Sequence, residues 1–179
     1  MGRHRLVRAV LGIAVVLGLA GCTPDPHPYI AVTIVDDRPT LLVAECARTR
    51  IEYVTLSERD DSTSPSPGRA RHEWSVASPL STPGPDGVRN PTAVAPARIT
   101  FFVNPPSWLV RSKTLRAFRE DTEYRVDSGV ANVGSLTFTL ARLRKLEPGK
   151  VITAVGYLDQ HAVSEADFEK AARKDCDRP

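Results

Sequence analysis

Residues 29–44 read YIAVTIV-DDRP-TLLVA, and this stretch decides the fold. Tyr29–Val35 is apolar or β-branched at every position, the composition of a strand covered on much of both faces. Asp36-Asp37-Arg38-Pro39 carries turn chemistry, with short acidic side chains that bond to nearby backbone. Thr40–Ala44 returns as a second strand and ends close to Cys46. The adjacent aspartates are read as the hairpin turn and not as a calcium loop, because such a loop needs several more oxygen ligands at set spacing. Strand, tight turn and strand in immediate succession predict an antiparallel β protein.

The pattern continues outward. Ile51–Ser57 (IEYVTLS) is a third strand, and His72–Ser78 (HEWSVAS) a fourth that puts Trp74 and Val76 on one face, so Trp74 is read as core. Between them lies the Ser/Pro run Ser62–Gly68. Pro79–Pro96 is a long loop rich in Pro, Gly, Ser and Thr, and Asn90-Pro91-Thr92 is no glycosylation site because its middle residue is proline. Arg98–Val103 (RITFFV) is read as a central strand with Phe101 and Phe102 on opposite faces, stopped by Asn104-Pro105-Pro106. Trp108 follows directly and fits the interior or a partner-facing surface equally well. Ser135–Ala141 alternates Leu136, Phe138 and Leu140 against Thr137 and Thr139, and Val151–Leu158 is another buried strand. Asp159-Gln160-His161 reads as a connector with His161 solvated. The clearest helix runs from Glu165 to about Asp175, within a helical segment 164–176. Ser164 is its N-cap, Asp167 completes a capping box, and Val163 and Phe168 stand where a hydrophobic staple joins. Phe168, Ala171, Ala172 and Cys176 share one helical face.

The chain opens differently. Arg3, His4, Arg5 and Arg8 precede Ala9–Ala20, an apolar run of 12 residues, and Leu19-Ala20-Gly21-Cys22 closes it. Spanning a bilayer takes about 20 apolar residues, so an export signal is the better reading than a membrane helix. Arg3 and Arg5 are not adjacent, which points to general secretion and not to twin-arginine export. The closing tetrapeptide resembles the lipobox of bacterial prolipoproteins at all four positions. That resemblance implies that residues 1–21 are removed, that Cys22 receives a diacylglycerol thioether, and that the new amino terminus is acylated, for instance with palmitate. Two or more acyl chains give stable anchoring where one does not. The implied location is the extracytoplasmic face of the cell membrane, lipid-anchored at the cell surface. Residues 22–28, with three prolines between Thr23 and Pro28, then form a short stiff tether in which His27 is solvated.

Removing residues 1–21 also removes the apparent basicity. The whole chain has 24 Lys+Arg and 21 Asp+Glu, and the signal holds three of the former and none of the latter, which leaves 21 of each. A neutral mature domain has no concentrated basic face for nucleic acid. With Cys22 committed to lipid, Cys46 and Cys176 remain, the number one disulfide needs, and an exported domain folds in an oxidising compartment. A Cys46–Cys176 disulfide is therefore expected.

Two later stretches share a design: Leu115-Arg-Ala-Phe118 before a charged turn and Tyr124-Arg125-Val126, and Leu143-Arg-Lys-Leu146 before Glu147-Pro148-Gly149-Lys150 and Val151. In each, a single helical turn is expected to cap the end of a sheet. The arrangement is similar to the corner of immunoglobulin-like and fibronectin type III sandwiches, with Tyr124 as the corner tyrosine. The fold expected for residues 29–179 is one all-β sandwich, immunoglobulin-like, of about seven to nine strands with one C-terminal helix.

Chemistry is sparse by comparison. His27, His72 and His161 form no HxxH or HxxxH arrangement, and the chain has no GxSxG, CxxC or glycine-rich phosphate loop. No catalytic residue, cofactor or metal ligand is assigned, and an enzyme is not expected. The function expected is a membrane-anchored extracytoplasmic lipoprotein whose sandwich is a binding or structural module, with an extracytoplasmic protein as a possible partner. Two alternatives stay open: a lipid-anchored carrier with an apolar ligand between the sheets, and an enzyme whose site is assembled from distant residues.

Overall fold

In the computed structural model, residues 27–59, 72–79, 94–129, 133–155 and 159–177 are described. The signal segment, Cys22, most of the tether, the Ser62–Gly68 run, residues 80–93 of the long loop and residues 156–158 lie outside them.

The opening hairpin forms as its composition requires. β1 (Ile30–Val35) pairs antiparallel with β2 (Arg38–Val43), and Val35 faces Arg38 across the ladder. Only Asp36 and Asp37 are left to turn the chain, with φ of 48° and 59°. Two successive left-handed residues make a type I′ turn, whose twist matches that of the flanking strands. Arg38 and Pro39, read as turn residues, instead begin β2.

The chain then makes a 3₁₀ turn at Glu45–Ala47 and continues through β3 (Tyr53–Glu58), β4 (Glu73–Ala77), β5 (Arg98–Thr100), β6 (Leu109–Lys113), β7 (Tyr124–Ser128) and β8 (Leu136–Phe138). A short helix α1 (Leu140–Arg144), β9 (Lys150–Ala154), β10 (Gln160–Ser164) and the helix α2 (Glu165–Cys176) complete it. The strands form two five-stranded sheets in the orders β10-β9-β1-β2-β5 and β6-β4-β3-β7-β8. Every pairing in both sheets is antiparallel.

One apolar interior joins the sheets. Val32, Leu41 and Ile152 of the first sheet and Leu56, Trp74 and Val126 of the second belong to a single buried cluster. Two antiparallel layers over a common core are the architecture of a β-sandwich. Trp74 is fully buried, as its shared face with Val76 predicts, and meets Phe101 edge-on at 6.1 Å between centroids. Phe101 stacks on Phe138 at 6.0 Å, and Phe118 meets Tyr124 at 4.9 Å, so rings from the second sheet and from the connections pack together in the interior.

Several elements differ from the sequence reading. The expected central strand Arg98–Val103 is only Arg98–Thr100 and lies at the edge of its sheet. Phe102 has φ 66°, and this left-handed residue folds both phenylalanines toward Trp74 instead of onto opposite faces. Leu115–Phe118 is not helical; the Leu115 N–H donates to the Glu73 carbonyl (2.9 Å), which continues the contact with β4 past the end of β6. The strand expected over Ser135–Ala141 stops at Phe138, where the Thr139 hydroxyl accepts the Arg142 N–H (3.1 Å) and starts α1 earlier than expected. Gln160–Ser164, read as connector and cap, pairs with β9 as a strand. Ala171, placed on the buried helical face, is exposed, while Phe168 and Ala172 are buried.

Candidate functional site

The described residues begin at His27, and the way this first segment joins the domain bears on the expected tether. Tyr29 is the first core side chain, 2% exposed. Its carbonyl accepts the Ala44 N–H (3.0 Å), which ties the entry point to the end of β2. Its hydroxyl accepts a hydrogen bond from Arg50 Nη1 (3.1 Å), and the Arg50 guanidinium also lies over the ring, 5.6 Å from its centroid.

His27 is where the sequence reading needs correcting. Its ring stacks on Tyr29, with centroids 4.9 Å apart and planes 13° apart, and its Nδ1 contacts the Asp175 carboxylate near the end of α2. The residue is therefore packed and paired, because Tyr29 entering the core draws its neighbours against the helix end. His27, read as a tether residue, is thus packed against the domain.

α2 is held at this same end. Cys46 and Cys176 form a disulfide with Cα atoms 6.3 Å apart, joining the 3₁₀ turn to the last residue of the helix. The Glu45 N–H donates to Glu169 Oε2 (3.2 Å), and Arg173 lies 3.7 Å from the Glu45 carboxylate. Phe168 and Ala172 seat the inner face of the helix without exposure. Counting, together with the export reading, brought Cys46 and Cys176 forward as a pair. Nothing in the sequence pattern pointed to His27 and Asp175, 148 residues apart.

The other singled-out residues lie elsewhere. Trp108 is 8% exposed and joins the core, turned inward by Ser107 at φ 66°. Its successors on β6, Leu109 and Val110, are exposed apolar side chains, at 54% and 42%. They stand on an edge strand that carries Lys113 and faces a bulge between Ser75 and Val76, features that discourage edge-to-edge pairing. His72 and His161 are both exposed, and His161 is on β10 instead of a loop. Among the described residues no three His, Cys, Asp or Glu side chains gather as a metal site. Asp127 is engaged by Arg125 Nε (3.0 Å) and by the Ser135 hydroxyl, which makes it part of a structural network on the outer sheet face.

Comparison of the chain with protein-family models, with curated proteins and with solved structures finds no match.

Proposed function

We propose that this chain is an exported lipoprotein, held on the extracytoplasmic face of the cell membrane through lipid on Cys22, whose sandwich is a binding or structural module. The observation that carries the reading is Leu19-Ala20-Gly21-Cys22 at the end of an apolar run behind Arg3, Arg5 and Arg8. The disulfide supports it, since such a bond persists in an oxidising compartment. The packing of His27 supports it as well: a residue five positions after Cys22 already lies against the domain, so lipid and domain would be joined by a short segment. The rings packed between the sheets favour a module over a carrier with an apolar ligand in that space.

The immunoglobulin-like kinship is part of the same proposal. Tyr124 opens β7, is fully buried, and its hydroxyl accepts the Arg119 N–H (2.6 Å), the bond of a tyrosine corner. β7 lies between β3 and β8, the position of the tyrosine-bearing strand in such sandwiches.

Replacing Cys22 by Ser tests the anchor. The variant is expected in the soluble extracytoplasmic fraction, with no acyl mass on its amino terminus. Undiminished membrane association would refute anchoring through Cys22.

A further inference from the structure

β6 is an edge strand of the second sheet, so one side of its backbone presents N–H and C=O groups that no described strand pairs. Its side chains are exposed on both faces. Leu109 stands opposite Ala77 and Val110 opposite Val76, so these two neighbours point to opposite faces of the sheet. Among the described residues they are the only adjacent pair of exposed large apolar side chains, and Val94, Val103 and Val155 stand singly. The next positions are basic. Arg111 has no residue opposite it at the bulge, and its guanidinium lies over the Tyr53 ring, 6.0 Å from the centroid. Tyr53 precedes inward-facing Val54, so this is the outer face of the sheet. Lys113 stands opposite Trp74, whose side chain points inward. Each face of β6 therefore offers an apolar side chain and then a base.

These bases are not answered by acids of the chain. Arg59, Arg98, Arg119, Arg125, Arg144 and Arg173 each pair with a carboxylate. Among the described residues no carboxylate pairs with Arg111, Lys113 or exposed Arg116, and no acid occurs anywhere from Arg98 to Arg119. Half-buried Glu73 of β4 stands near them, Glu58 is taken up by Arg119, and Glu52 is itself engaged. We propose that β6 is a docking edge for an extended acidic segment of another protein, which adds to the second sheet as a further strand. Main-chain hydrogen bonds hold such a strand, and the facing side chains choose it. In antiparallel addition its acids meet Lys113 and Arg111 and its apolar residues meet Val110 and Leu109. A second copy of β6 brings the same bases to the seam and is disfavoured. The docking edge rests on the reading of the sandwich as a binding module, and not on the lipid at Cys22.

The probe is a blocked peptide of about seven residues, an ordinary strand length, in which two glutamates precede two valines among threonines. Its control carries lysines in place of the glutamates. Full-length protein in detergent is titrated with each peptide to about 1 mM, the weak end of measurable binding, and hydrogen exchange is read by mass spectrometry. The acidic peptide is expected to slow exchange in β6 and to leave β8, at the opposite edge of the same sheet, unchanged. The lysine peptide is expected to leave both unchanged. The surface variant Lys113→Glu is expected to weaken the acidic peptide about tenfold and to admit the lysine peptide. Equal protection by both peptides, or none by either, overturns the docking edge and leaves the anchor, tested through Cys22, standing. Protection of β6 that grows with protein concentration in the absence of peptide places a second copy there and overturns it as well.

Discussion

Asp37 holds a left-handed φ of 59° immediately after Asp36 at 48°, a conformation aspartate tolerates and glycine adopts without steric cost. Asp-Gly is the preferred pair for this turn. Asp37→Gly is therefore expected to gain about 0.5 kcal/mol and raise Tm by about 1–2 °C. A clear fall in Tm on thermal unfolding would mean that the Asp37 carboxylate itself holds the turn. The other residue-scale decisions follow the same geometry. Phe102 and Ser107, both left-handed at φ 66°, decide where Phe101, Phe102 and Trp108 point. Neither is a residue whose identity announces such a conformation, so the sequence left Trp108 balanced between core and surface. His27 was likewise legible as a side chain but not as a contact. Its partner Asp175 lies at the other end of the chain.

Among the elements, α2 was the most legible, because its signals are local. Ser164 Oγ accepts the Asp167 N–H (3.0 Å) as the N-cap pattern predicts, and the Asp167 carboxylate in turn accepts the Ser164 hydroxyl (2.6 Å). In the capping box proper the third residue reaches the cap's backbone N–H; here it bonds the cap's side chain. Ser164→Ala is expected to cost about 1 kcal/mol. The disulfide and Phe168 retain the rest of the helix, so the loss should show as faster hydrogen exchange at the Asp167 amide while amides of its last turn are unchanged. Uniformly faster exchange along α2 would show instead that the cap holds the whole element. The edge strands were least legible. β5 is three residues long and β6 is exposed at most of its positions, so neither carries the buried alternation that marks an inner strand.

At the scale of the molecule, the Cys46–Cys176 bond closes a loop with a sequence separation of 130, nearly the whole domain. Chain-entropy arguments assign such a loop about 4–5 kcal/mol, since cross-linking restricts the unfolded chain. Replacing both cysteines by serine is expected to lower the unfolding free energy by about that amount in urea titrations. A loss under about 1 kcal/mol would mean that the packing of α2 alone secures the termini. The sequence by itself determined the β character, the opening hairpin, the C-terminal helix with its cap, the burial of Trp74 and the pairing of the two cysteines left beside Cys22. All of these rest on periodicity, turn chemistry or counting, which act over a few neighbouring residues or on composition. Tertiary structure alone decided the order of strands in the two sheets, the inward turn of Trp108, and the meeting of His27 with Asp175. These depend on contacts between residues far apart in the chain, and no local pattern encodes which distant partner a side chain will meet.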